Sequence, residues 1–122
     1  MANNEQIIRD FVATWPRLDA DAIVAFFTED GIYHNIPIGP VQGGAQLKEF
    51  ITGFLASWTR TNWDILSMTS AGDTVVVERI DHIFMGDKTV DLPCCGVFEM
   101  TDGKIKAWRD YFDMGTYMKA LG

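Results

Sequence analysis

Three short stretches carry side chains whose types and spacing suit acid–base chemistry. The first is T-V-V-V-E-R-I-D-H-I-F, residues 74–84. Its β-branched content reads as a strand, and alternation across a strand puts Val75, Val77, Arg79, Asp81 and Ile83 on one face. Arg79 and Asp81 therefore point the same way, where an apolar face should continue. The second stretch is K-A-W-R-D-Y-F-D, residues 106–113, in which Trp108, Asp110 and Phe112 share a face. A carboxylate flanked by two aromatics has its pKa raised by desolvation unless a cation lies close. The third is I-Y-H-N-I, residues 32–36, with Tyr33 and Asn35 on one face and Ile32, His34 and Ile36 on the other.

Arg79 is a candidate for the cation beside Asp110. If Arg79, Asp81 and Asp110 converge, one guanidinium serves two carboxylates, and the surplus negative charge holds one proton between them. One carboxyl is then an acid and the other a base. Such a pair suits a reaction in which a base takes a proton from water while an acid protonates a leaving oxygen. Tyr33 and Asn35 are placed to hold that water, and opening of an epoxide fits these parts. The same residues also fit a plainer arrangement. Arg79 and Asp81 then form a half-exposed surface pair worth at most about 1 kcal/mol, with the Tyr33 hydroxyl near the surface and Asn35 bonded to the loop that follows. Both arrangements stand open on this pattern alone.

The elements that position these stretches follow from periodicity. Ile7, Ile8, Phe11, Val12 and Trp15 recur at helical spacing behind Asn3 or Asn4 as N-cap, and Pro16 ends that helix. Asp19 caps a second helix with Ala22, Ile23, Phe26 and Phe27 on one side, broken by Thr28-Glu29-Asp30-Gly31. After the strand of Tyr33, residues 37–44 read as a loop. Leu47, Phe50, Ile51, Phe54, Leu55 and Trp58 then mark a third helix whose wide apolar stripe is core. Strands are expected over residues 62–69, 74–84, 89–100 and 104–112, joined by short Gly/Asp turns that make consecutive strands antiparallel neighbours. Val90, Leu92, Cys94, Gly96 and Phe98 form the inner face of the third of these. Asp113 caps a short closing helix over residues 114–121. This order segregates as α+β, with helices on one face of a curved, mostly antiparallel sheet and a ligand cavity at the open mouth. It resembles the NTF2-like, or cystatin-like, cone.

Composition bounds the partners. The 122 residues suit one domain over 1–122 with one core, and the 48% hydrophobic content disfavours disorder. A net charge of −7 argues against nucleic acid and anionic membrane surfaces. No apolar run approaches membrane-spanning length and no signal peptide pattern opens the chain, so a cytoplasmic protein is expected. Cys94 and Cys95 are adjacent, point to opposite faces, and cannot make a structural disulfide with each other. Zinc-type spacing is absent, so no metal site is expected.

Tyr33-x-Asn35, Arg79-x-Asp81 and Trp108-Arg109-Asp110-Tyr111-Phe112-Asp113, with Phe27-Thr28-Glu29-Asp30, Gly96-Val97-Phe98 and Asp102-Gly103-Lys104-Ile105, together resemble the limonene-1,2-epoxide hydrolase family. The resemblance implies that Asp110 is the general base for the attacking water, which Tyr33 and Asn35 also bind. Asp81 would protonate the epoxide oxygen and Arg79 would bridge the two carboxylates. A small cyclic or terpene-like epoxide would open in one step to a vicinal diol, with no covalent intermediate and no cofactor. A homodimer is implied by the resemblance alone. By face and by resemblance, Trp15, Phe54, Trp58, Ile83, Leu92, Cys94, Phe112 and Tyr117 are expected to line the cavity, although the family pattern has an aliphatic residue where Cys94 stands. Two rival readings exist. One is a polyketide-cyclase-like or ketosteroid-isomerase-like enzyme, which needs one base and an oxyanion hole; the other is a non-catalytic ligand-binding module on the same cone. His34 and His82 are expected to point away from the site.

Overall fold

A computed structural model describes residues 3–121. Helix α1 (Asn4–Thr14) starts where the Asn3 side chain accepts the backbone N–H of Gln6, and a 3-10 turn (Trp15–Arg17) carrying Pro16 ends it. Asp19 caps α2 (Ala20–Val24) by accepting from Ala22 N. There follow β1 (Phe27–Asn35), β2 (Gly39–Gln42), α3 (Gly44–Leu55), β3 (Arg60–Ala71), β4 (Thr74–Met85), β5 (Lys88–Thr101), β6 (Lys104–Phe112) and α4 (Met114–Leu121). The Asp113 side chain accepts from Thr116 N and so caps α4. No helix among the described residues is long and apolar enough to cross a membrane.

The six strands form one sheet in the order β2-β1-β6-β5-β4-β3. Consecutive strands from β3 to β6 are antiparallel neighbours, as the short turns require. Asp102 and Gly103 both take positive φ in the β5–β6 turn, the backbone a tight hairpin demands. β1 instead pairs parallel with β6. Side chains alternate as the period-2 pattern requires: Val75, Val77, Arg79, Asp81 and Ile83 of β4 are buried, as are Val90, Leu92, Cys94, Gly96 and Phe98 of β5. The helices cover that face. Phe11 of α1 meets the rings of Trp15, Phe26, Phe27, Phe98 and Trp108 edge-on, at centroid distances of 5.2 to 6.1 Å.

Three expectations about elements need correction. The second helix is only one turn and a half long, because Phe27 leaves the helical pattern to open β1 and pair with Ile105 of β6. The Ile105 backbone N–H donates to the Phe26 carbonyl at 2.8 Å, and the Thr28–Gly31 segment is absorbed as an irregularity in the strand pairing. The supposed loop 37–44 contains β2, an edge strand on β1, the one position in a sheet where Pro40 loses no ladder bond. The third helix stops at Leu55, so Trp58 belongs to the connection leading into β3.

His82 lies on the outer face of β4, between Asp91 (Nδ1–Oδ1 2.6 Å) and Asp64 (Nε2–Oδ2 2.8 Å). These bonds, Asp91 first and Asp64 second, raise its pKa above the ordinary histidine value. A raised folded-state pKa gives stability that is fully present below the unfolded value of about 6.5 and is lost as pH rises through the folded value. Because the cluster is largely solvated, the gain is under about 1 kcal/mol. His82→Gln should therefore destabilise the protein in urea unfolding at pH 5.5 and by much less at pH 8.5; equal effects at both pH values would contradict the pairing.

Candidate active site

Two strands separated by a third supply the charged centre. Arg79 and Asp81 stand two residues apart on β4, Asp110 is on β6, and β5 runs between them. With neighbouring strands about 4.8 Å apart, the guanidinium must cross roughly 10 Å of sheet to reach Asp110. It passes over Gly96, the β5 residue paired with Asp110. A Cβ at Gly96 would lie 2.9 Å from Arg79 Nη1, 2.9 Å from Trp108 Nε1 and 3.1 Å from Asp110 Oδ1. Glycine is thus what opens the passage. Arg79 donates Nε and Nη2 to the two Asp81 oxygens, and Nη1 and Nη2 to the two Asp110 oxygens, each at 2.9 Å. The result is two fork-shaped pairs on one cation.

All three residues are buried: Arg79 is 0% exposed, Asp81 3% and Asp110 3%. The surface-pair arrangement that the sequence allowed is therefore overturned for these residues. Burial opposes the charge of Arg79, but Asp110 and Asp81 outweigh it and hold the guanidinium well above its ordinary pKa. For Asp110, burial pushes the carboxyl up, Arg79 pulls it down, and the net direction is up. The Trp63 ring lies under the guanidinium with Cζ 4.6 Å from its centroid, and Trp108 lies at 5.6 Å on another side. Trp63 is itself fixed: its Nε1 donates to Thr61 Oγ1 at 3.0 Å, and that hydroxyl donates to the His82 carbonyl.

Asp81 and Asp110 open onto a cavity of about 30 Å³, room for roughly two waters. Tyr33 and Asn35 also face it. Register explains why: Asn35 pairs with Asp110 and Tyr33 with Trp108 across the parallel β1–β6 ladder. The Tyr33 ring stacks on Trp108 at 4.2 Å with a 2° interplanar angle. Burial first, and the Asp110 charge second, push the Tyr33 hydroxyl well above its ordinary pKa, so it stays a phenol and can donate. Asn35 Nδ2 is buried and meets no hydrogen-bond acceptor at bonding geometry among the described residues, which leaves a donor on the cavity wall. Of the expected wall residues, Phe54, Trp58, Ile83, Leu92, Phe112 and Tyr117 are in place.

Two expected wall residues lie elsewhere. Trp15 sits one layer behind, stacked on Trp63 at 4.3 Å, because its helical stripe packs into the aromatic core. Cys94 lies beneath Asp81, its Sγ donating to Oδ2 at 3.5 Å; burial, then the Asp81 charge, push this thiol far up and keep it protonated. Asp81, Cys94 and Asp110 bring ligand-type atoms within 4.8 Å of one another. The cation already shared by the two carboxylates is Arg79, however, and a metal ion there would meet its repulsion. His82 faces outward with its two aspartates, and His34 lies on the face of β1 opposite Tyr33 and Asn35.

Comparison with known proteins bears on this geometry. The family model described as limonene-1,2-epoxide hydrolase catalytic domain matches residues 2–122. The chain belongs to the limonene-1,2-epoxide hydrolase family. It is 32% identical over 109 residues to "Epoxide hydrolase EphG" of Mycobacterium tuberculosis, spanning 84% of this chain and 68% of that protein. A solved M. tuberculosis LEH-like epoxide hydrolase superposes with a TM-score of 0.77 at 29% identity, over 95% of this chain and 86% of that one. An NTF2-like protein of unknown function from Cytophaga hutchinsonii shares the fold alone, with a TM-score of 0.75 at 17% identity, over 97% of this chain and 96% of that one.

In this limonene-1,2-epoxide hydrolase family member, sequence reasoning missed Trp63, Ile38 and Met114 on the wall. Trp63 falls in the strand expected over residues 62–69, where alternation sets it on one face with Ile65, apart from Asn62 and Asp64. Ile38 and Met114 sit just outside regular elements, where no periodicity marks a face. Gly96 was read as inner but not as necessary. Gly96→Ala should lower the unfolding free energy by about 1–3 kcal/mol in urea, because the methyl meets the guanidinium and the Trp108 ring and neither can withdraw. Unchanged stability would show that the passage over β5 has slack.

Proposed function

We propose that the protein hydrolyses an epoxide to a vicinal diol in one step, with water as the nucleophile. The observation that supports this most is the single guanidinium holding Asp81 and Asp110, from non-adjacent strands, with both carboxyls open to one cavity. Three buried groups with both carboxylates ionised would carry one surplus negative charge, so one proton is retained by the pair. Asp110 is the base: it takes one proton of a water that accepts from Asn35 Nδ2 and gives its second O–H to the Tyr33 hydroxyl oxygen, which leaves one lone pair free for the carbon. Asp81 is the acid, giving its proton to the epoxide oxygen as the C–O bond breaks and the water oxygen bonds to carbon.

Atoms balance without a covalent enzyme intermediate. Water contributes one hydroxyl, the epoxide oxygen becomes the other, and a proton must return from Asp110 to Asp81 before the next turnover. Arg79 stays charged throughout and keeps the two carboxyls in register. A cyclase or isomerase on the same cone needs one base and leaves the doubly forked Arg79 without a role; a binding module leaves the buried charges without one. Family resemblance alone carries the further readings that no cofactor takes part and that the chain works as a homodimer.

Single-turnover conversion of cyclohexene oxide in ¹⁸O-labelled water tests the mechanism. The native protein should give trans diol carrying the label from the first turnover, and Asp110→Asn, folded by circular dichroism, should lose about 10²–10⁴-fold in rate. Unlabelled diol in the first turnover would point to an ester intermediate, and an undiminished rate in the variant would remove Asp110 as the base.

A further inference from the structure

A specific pair of aromatic side chains forms one wall of the cavity against the carboxyls. Trp58, in the connection after α3, donates Nε1 to the Tyr117 hydroxyl of α4 at 3.0 Å, and both residues are buried. The bond ties two elements far apart in sequence across the space beside Asp81 and Asp110. Phe54 packs on both partners, tilted against Trp58 at 5.8 Å and edge-on to Tyr117 at 6.3 Å. Trp58 has no room to swing back, since Trp15 lies behind it at 6.0 Å and is itself stacked on Trp63. What remains is about 30 Å³, so even 1,2-epoxybutane beside a water has to press the walls outward and a terpene-sized body has to press them much further, whereas pockets that enclose drug-sized ligands run to about 300–1,000 Å³.

We infer that the Trp58–Tyr117 hydrogen bond sets the substrate class, restricting the protein to small epoxides with only a few atoms beyond the oxirane ring and excluding terpene-sized ones. This inference rests on the epoxide-hydrolase reading and narrows it. A terpene-sized epoxide at the carboxyls has to break the bond, which strands a buried indole N–H and a buried phenol together. The wider groove of about 720 Å³, which shares Ile38 and Phe54 with the cavity, contains neither Asp81 nor Asp110, so an epoxide lodged there is kept from the carboxyls. The aromatic walls suit a slim apolar body whose one polar atom, the epoxide oxygen, meets the acid. Trp58 and Tyr117 act on selectivity through the space they leave, and neither is required to move a proton.

The test compares kcat/KM for 1,2-epoxybutane and for limonene oxide in the native protein, Tyr117→Phe and Trp58→Leu. The native protein should favour 1,2-epoxybutane by at least about tenfold, in line with the 10–200-fold that a single misfitting methylene already produces. Tyr117→Phe removes the hydrogen bond and little volume, and should shift the ratio several-fold toward limonene oxide. Trp58→Leu should shift it further, chiefly through a lower KM for limonene oxide; if that variant fails to fold, Tyr117→Phe decides. A native preference for limonene oxide, or a ratio unmoved by folded variants, overturns the size limit while leaving epoxide hydrolysis intact. Conversion of neither epoxide, nor of cyclohexene oxide, by the native protein overturns the hydrolase reading and the size limit with it.

Discussion

A buried guanidinium that reaches from β4 across β5 to β6 is the interaction on which the remaining structure depends. Isolated, such a charge in this interior would be strongly unfavourable. It is tolerated because four N–H···O bonds, each at 2.9 Å, saturate two carboxylates around it, and because aromatic rings on two sides present their negative faces or exclude water. The sheet must then meet narrow conditions. β5 has to present no side chain at position 96, β4 and β6 have to flank it in fixed register, and the helices have to seal the face. The first two conditions are visible in the pairing of Gly96 with Val77 on one side and Asp110 on the other.

From that constraint the site follows outward. The parallel pairing of β1 with β6 sets Asn35 beside Asp110 and Tyr33 beside Trp108, so the groups that would hold water come from the strand nearest the base. The β3 edge brings Trp63 opposite Asp81 and under the cation. Helix α4 and the connection after α3 close the remaining side through Trp58 and Tyr117. Charge and aromatic packing are therefore one structure: the rings that exclude water from Arg79 also bound the space left for a substrate.

Much of this was legible in the sequence, for a physical reason. Side-chain alternation is rigid, so Arg79 with Asp81, Trp108 with Asp110, and Tyr33 with Asn35 could be assigned to common faces from spacing alone. Which face turns inward was not decided by β4 by itself, since its Val75, Val77 and Ile83 share a face with two charges. The short turns already imply that β5 lies between the charged strands, but local pattern could not show that β1 pairs parallel with β6, because that edge depends on long-range pairing. Helical spacing placed Trp15 correctly in an apolar stripe but cannot distinguish a core residue from a cavity wall. Phe26 and Phe27 satisfied both a helical stripe and a strand start, and pairing with β6 decided for the strand. Pro40 read as loop because an edge strand that tolerates proline has the same local signature.

The most direct measurement of the shared-proton centre is a carbon-13 NMR titration of aspartate carboxyls, with Asp110→Asn used to assign the buried pair. The expected result is that the buried carboxyl pair binds one proton in a step above the ordinary aspartate value of about 3.9, and that this step is abolished in the variant. The absence of any such step above about 3.9 would mean that no proton is held between the two carboxyls, and the acid–base assignment would fall.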